Sequence, residues 1–139
     1  MASIVGLGQA CTLAFRSLEE SARRLEMLRD RLLAQLSEAI GEKLTVNGLK
    51  APRLPNTLSV NFPDVAAVDM LARLPELCLS TGSACHSGTP GMSPTLAAMR
   101  LDPDVARGTV RMSVGWYTSE EEIDRAASLL IGAWESLAR

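Results

Sequence analysis

From Ser17 to Ile40 apolar side chains fall at Leu18, Leu25, Leu28, Leu32, Leu36 and Ile40, while Glu19, Arg23, Arg24, Glu26, Asp30, Arg31 and Glu38 lie elsewhere. Only a helix brings residues three, four or seven apart onto one face, so this spacing predicts a helix with a dry stripe and a charged back. Glu19 with Arg23 and Glu20 with Arg24 are four apart and are expected to pair along the wet face, and Gly41 is the natural stop. The segment ahead, Ile4 to Phe15, is apolar or small almost all round and carries Gly6 and Gly8, which cost helix propensity. Such a surface is expected to be buried against a partner. Left bare it would self-associate, so a homo-oligomer through Ile4, Leu7 and Leu13 is expected.

Beyond Gly41 the period changes. Leu44 to Val46 runs into the turn pair Asn47-Gly48. Leu58, Val60 and Phe62 then alternate with Thr57, Ser59 and Asn61, as Val110, Met112 and Val114 do with Thr109, Arg111 and Ser113. A period of two marks half-buried strands, and it turns Arg111 away from the core. The run Leu77 to Leu79 is a further candidate strand. Helices are expected over about Val65 to Leu74 behind a Pro63-Asp64 cap, and after Ser93-Pro94 and Asp102-Pro103, with Gly108 ending the last of these. Thr118 with Glu121 reads as a capping box for a final helix striped by Ile123, Ala127, Leu130, Trp134 and Leu137. The expected class is α+β: a small, mainly antiparallel sheet of three to four strands with helices packed on one face, preceded by a long N-terminal helix. Residues 1–139 are read as one domain, with 1–41 an interdomain helical segment and 42–139 a small α+β domain.

Several function classes are disfavoured by composition. Fourteen Lys and Arg against sixteen Asp and Glu, with two Trp, two Phe and one Tyr, supply neither a basic surface nor stacking platforms for nucleic acid. The apolar start is too short to span a bilayer and has no basic leader, so neither a membrane span nor a signal peptide is expected. Three cysteines without a CxxC spacing suit a reducing cytoplasm, and His86 as the single histidine leaves no ligand set for a structural metal.

The candidate chemistry lies in the loop Ser80 to Met92. Cys11 and Cys78 sit in apolar runs and are expected to be inert packing. Cys85 is flanked by Ser, Thr, Gly, Ala and Pro residues, a setting for an exposed thiol that moves between reaction partners, or for a solvent-facing cysteine in an ordinary loop. Its neighbour His86 could tune the thiol or pass a proton. Adjacent side chains in an extended loop often point apart, so a surface histidine is the preferred reading. Arg111, presented from the polar side of a strand, suits a bidentate grip on a carboxylate, or else a surface ion pair with one of the many acids.

Three ordered motifs carry a resemblance: Leu79-Ser80-Thr81-Gly82-Ser83-Ala84-Cys85, then Val110-Arg111-Met112-Ser113-Val114-Gly115, then Thr118-Ser119-Glu120-Glu121-Glu122-Ile123-Asp124. With Leu54 to Val60 and Ile4 to Ala10, they make the whole chain resemble the C-terminal part of NifS-type cysteine desulfurases, fold type I pyridoxal phosphate enzymes of the class V aminotransferase group. The resemblance implies that Cys85 is the nucleophile that takes sulfur from cysteine as a persulfide, with release of alanine. It implies that Arg111 holds the substrate carboxylate, and that an iron-sulfur scaffold or tRNA-thiolation protein accepts the sulfur. Its cofactor lysine, stacking histidine and ring-nitrogen aspartate belong to a large domain whose residues do not match this chain, and Lys43 and Lys50 read as solvent-facing. The complete enzyme is therefore expected to use pyridoxal phosphate, this chain alone to hold none and be inactive, and the large cofactor domain, on the same or a separate chain, to be a partner. Selenocysteine lyase, which Cys85-His86 also resembles, and a non-enzymatic sulfur carrier that docks a scaffold are the alternatives.

Overall fold

The computed structural model describes residues 1–81 and 92–138. In it the two N-terminal segments are one continuous helix, α1 (Ala2–Ile40), closed by Gly41, whose φ of 78° suits a residue without a Cβ. Leu28, Leu32, Leu36 and Ile40 are buried, as the periodicity requires. Leu18 is not: it is 64% exposed, and residues 1–16 are exposed without exception. Packing begins lower down, near Arg24, whose guanidinium donates to the carbonyls of Trp116 and Thr118. Arg24 therefore braces a distant turn instead of pairing with Glu20, whereas Arg23 does pair with Glu19 at 3.8 Å. The stripe also holds a buried charge. Arg29, 4% exposed, donates to the carboxylates of Glu26 and Asp30 and to the Leu54 carbonyl, which fastens α1 to the loop ahead of the second strand.

Strands β1 (Thr45–Val46), β2 (Thr57–Asn61) and β3 (Thr109–Ser113) form one antiparallel sheet in that order. Val46 lies opposite Val60, Leu58 opposite Met112 and Val60 opposite Val110, so the alternation puts one apolar face on a single core. Helix α2 (Ala67–Ala72), through Ala67 and Met70, and helix α5 (Glu120–Leu137), through Ile123, Ala127, Leu130 and Ala133, join α1 in covering that face. Between these elements stand two short helices, α3 (Pro94–Ala98) and α4 (Pro103–Arg107). Helix α5 is tied to α1 by Arg31, whose Nε and Nη2 donate to the two oxygens of Asp124 at 2.7 and 2.8 Å, with Gln35 donating to the same carboxylate at 2.7 Å. The hydrogen bonds from Arg31, then that from Gln35, hold the Asp124 carboxyl down at about 2.

Several local expectations are corrected. Leu77 to Leu79 is not a strand: its leucines pack against the core, and the backbone reaches the sheet only at Ser80, in a bridge to Arg111. Asp64 does not cap α2, which begins after Ala66 with no side-chain cap; Asp64 sits at φ 61° and its carboxylate meets Lys43 at 3.5 Å. The final capping box is one residue later than expected. Ser119 and Glu122 exchange its two hydrogen bonds, while the Thr118 hydroxyl accepts from the Gly115 N–H and closes the preceding turn. Cys11 and Cys78 are exposed rather than packed, the first on the bare half of α1 and the second where no strand forms.

Candidate functional site

The second face of the sheet is polar. One row across it reads Asn47, Ser59 and Arg111; the next reads Thr45, Asn61 and Thr109. Asn61 is the hub, 3% exposed, and all four of its amide positions are used. Its Oδ1 accepts from the Thr109 hydroxyl at 2.6 Å and from Asn47 Nδ2 at 2.9 Å, while its Nδ2 donates to Thr45 Oγ1 and Asn47 Oδ1, each at 2.9 Å. Asn47 Nδ2 also donates to Ser59 Oγ at 3.0 Å.

Arg111 stands at the end of the first row. Its backbone N–H donates to the Ser80 carbonyl at 2.7 Å and its carbonyl accepts from the Ser80 N–H at 3.1 Å, so the stem leading to the Cys85 loop is locked to this residue. Its side chain helps line a cavity of about 260 Å³ with Asn47, Ser59, Thr81, Ser93, Thr109 and an apolar wall of Leu96 and Met99. Thr81 and Ser93 lie one on either side of the residues that carry Cys85. Among the described residues the Arg111 guanidinium has no carboxylate partner, which removes the surface ion pair expected as its alternative there. Cys85 and His86 lie outside the described residues. A larger hollow of about 640 Å³ adjoins Lys43, Asp64, Asp104 and Arg107, but its lysine already pairs with Asp64, and it carries no feature of the predicted site. Asn47, Ser59, Asn61, Thr109 and Ser80 were not singled out from the sequence, although the polar half of the strand alternation marked most of them.

That polar sheet face belongs to a recognisable class of protein: residues 1–126 match the aminotransferase class-V family, and the chain belongs to it. More particularly, it is 37% identical over 130 residues to Cysteine desulfurase IscS of Colwellia psychrerythraea, covering 94% of this chain and 32% of that protein. It is 35% identical over 134 residues to the mitochondrial cysteine desulfurase of Arabidopsis thaliana, covering 96% and 29%. A solved NifS-like protein superposes with a TM-score of 0.71 at 30% identity over 97% of this chain and 33% of that one. A NifS-like protein of Rickettsia africae, at 20% identity and a TM-score of 0.79 over 95% and 34%, shares the fold. The chain thus spans about a third of the length of the relatives it matches.

The residues described do not fit a pyridoxal phosphate site of their own. Covalent attachment needs a lysine amine in a sheltered pocket. Lys43 is 77% exposed in its side chain and turned to Asp64, and Lys50 is exposed on the loop after β1.

Proposed function

We propose that this chain is the C-terminal, substrate-gripping and sulfur-accepting part of a cysteine desulfurase, with residues 1–41 as the linking helix and 42–139 as the small α+β unit. The observation that carries the reading is Arg111, free of any carboxylate partner among the described residues and lining a cavity rimmed by both flanks of the Cys85 loop. A guanidinium so presented suits the carboxylate of an amino acid. The Cys85 thiolate then attacks the substrate sulfur: a sulfur–sulfur bond forms, the substrate carbon–sulfur bond breaks, and the electron pair left on carbon takes a proton to give alanine. His86 is the candidate proton donor or acceptor beside that thiol. Activation of the carbon–sulfur bond is assigned to a cofactor-bearing part, on the same or a separate chain, that covers the bare half of α1. The persulfide passes on to an acceptor protein.

The test is a chimera in which this chain replaces the matching third of the Colwellia protein. Alanine release from cysteine and one added sulfur on the Cys85 peptide are expected; Cys85→Ser abolishes both, and Arg111→Lys raises KM about tenfold. Undiminished alanine release by a folded Cys85→Ser chimera sinks the proposal. Release from selenocysteine but not from cysteine transfers the chain to the selenocysteine lyase reading.

A further inference from the structure

The hydrogen bonds on the polar sheet face reach Ser59 through Asn47. Thr109 donates to Asn61, Asn61 and Asn47 exchange donors and acceptors, and Asn47 donates to Ser59. Because Ser59 Oγ receives the Asn47 proton, its own O–H is left to donate, and among the described residues no acceptor takes it. The Ser59 carbonyl bonds to Asn47, and the Arg111 backbone bonds to Ser80 on the opposite side. Ser59 and Arg111 therefore face each other as the non-hydrogen-bonded pair of β2 and β3, the arrangement in which side chains stand closest. A hydroxyl proton and a guanidinium thus border the same cavity.

We infer that Ser59 is a second carboxylate-binding residue, donating its hydroxyl to the substrate carboxylate that Arg111 grips, with Asn47 and Asn61 as the positioning residues that commit its proton outward. This rests on the reading of Arg111 as a carboxylate site. Alanine, the product left by that reaction, carries the same carboxylate and serves as the probe.

The 139-residue chain is titrated with L-alanine, and separately with L-alaninamide, which lacks the carboxylate, while amide resonances are followed by NMR. L-alanine shifts the backbone signals of Ser59 and Arg111 and the side-chain amide of Asn47, and L-alaninamide does not. Ser59→Ala raises the Kd about five- to tenfold, Ser59→Thr restores it by keeping the hydroxyl, and Asn47→Ala raises it about threefold. Normal affinity in Ser59→Ala together with lost affinity in Arg111→Lys overturns the role of Ser59 and leaves that of Arg111 standing. No response to L-alanine, equal response to L-alaninamide, or indifference to Arg111→Lys overturns both. Ser59→Thr has the bulk to fit a strand, so unchanged weakness in a folded Ser59→Thr also counts against the hydroxyl.

Discussion

Gly108→Ala changes one hydrogen into a methyl group where, among the described glycines, a Cβ would meet the closest backbone atom. A Cβ at this position would lie 2.0 Å from the Phe62 carbonyl oxygen, 3.1 Å from its carbon and 3.3 Å from the Val65 oxygen. Carbon and oxygen do not approach that closely, so the start of β3 and the end of β2 must part by about 1 Å. Such overpacking costs roughly 2–3 kcal/mol. The hydrogen bond from the Phe62 N–H to the Gly108 carbonyl, 2.9 Å long, spans the same gap and its weakening adds about 1 kcal/mol. Stiffening of the unfolded chain offsets about 0.4–1 kcal/mol. The net loss is about 2–3 kcal/mol, a fall in Tm of roughly 10 °C for a chain of this size, read by circular dichroism during thermal and urea unfolding. Gly132→Ala is the control, since its Cβ meets nothing within 4 Å in the interior of α5 and should add about 0.5–1 kcal/mol. A Gly108→Ala protein as stable as the parent, or more so, refutes the steric argument.

Acid should weaken the junction of α1 and α5. The Asp124 carboxyl, at about 2 when folded, lies below its unfolded value of about 3.9, so its stabilisation is complete above the unfolded value and is lost as pH falls toward 2. Urea midpoints measured between about pH 5 and pH 2 should therefore fall less steeply in Asp124→Asn, and identical slopes would remove Asp124 as the cause. The bare half of α1 exposes Ile4, Val5, Leu7, Leu13 and Phe15, and light scattering should show concentration-dependent association of the isolated chain that Ile4→Glu with Leu7→Glu suppresses. A monomer at high concentration argues against this. Cys11 and Cys78 should both react with a thiol reagent without denaturant, and protection of either until unfolding would contradict their exposure.

Local rules were legible where a residue's neighbours in sequence are also its neighbours in space. The 3.6-residue stripe located Leu28, Leu32, Leu36 and Ile40, and the period of two put Val110 and Met112 inside and Arg111 outside. They failed where a distant partner competes. Nothing near Arg24 marks it for the Trp116 and Thr118 carbonyls some ninety residues away, and nothing near Leu18 says that the packing stops below it. Leu77 to Leu79 had the composition of a strand but met the sheet only through Ser80. The same division runs through the candidate site. The sequence by itself determined that Arg111 leaves the core, because alternation is a property of the backbone, and its motifs carried the family resemblance. Only the tertiary structure decided that Arg111 is locked to Ser80, shares a cavity with Ser59, and stands beside a hydrogen-bonded row centred on Asn61. Strand register sets those contacts, and it is fixed by long-range pairing between β2 and β3, some fifty residues apart.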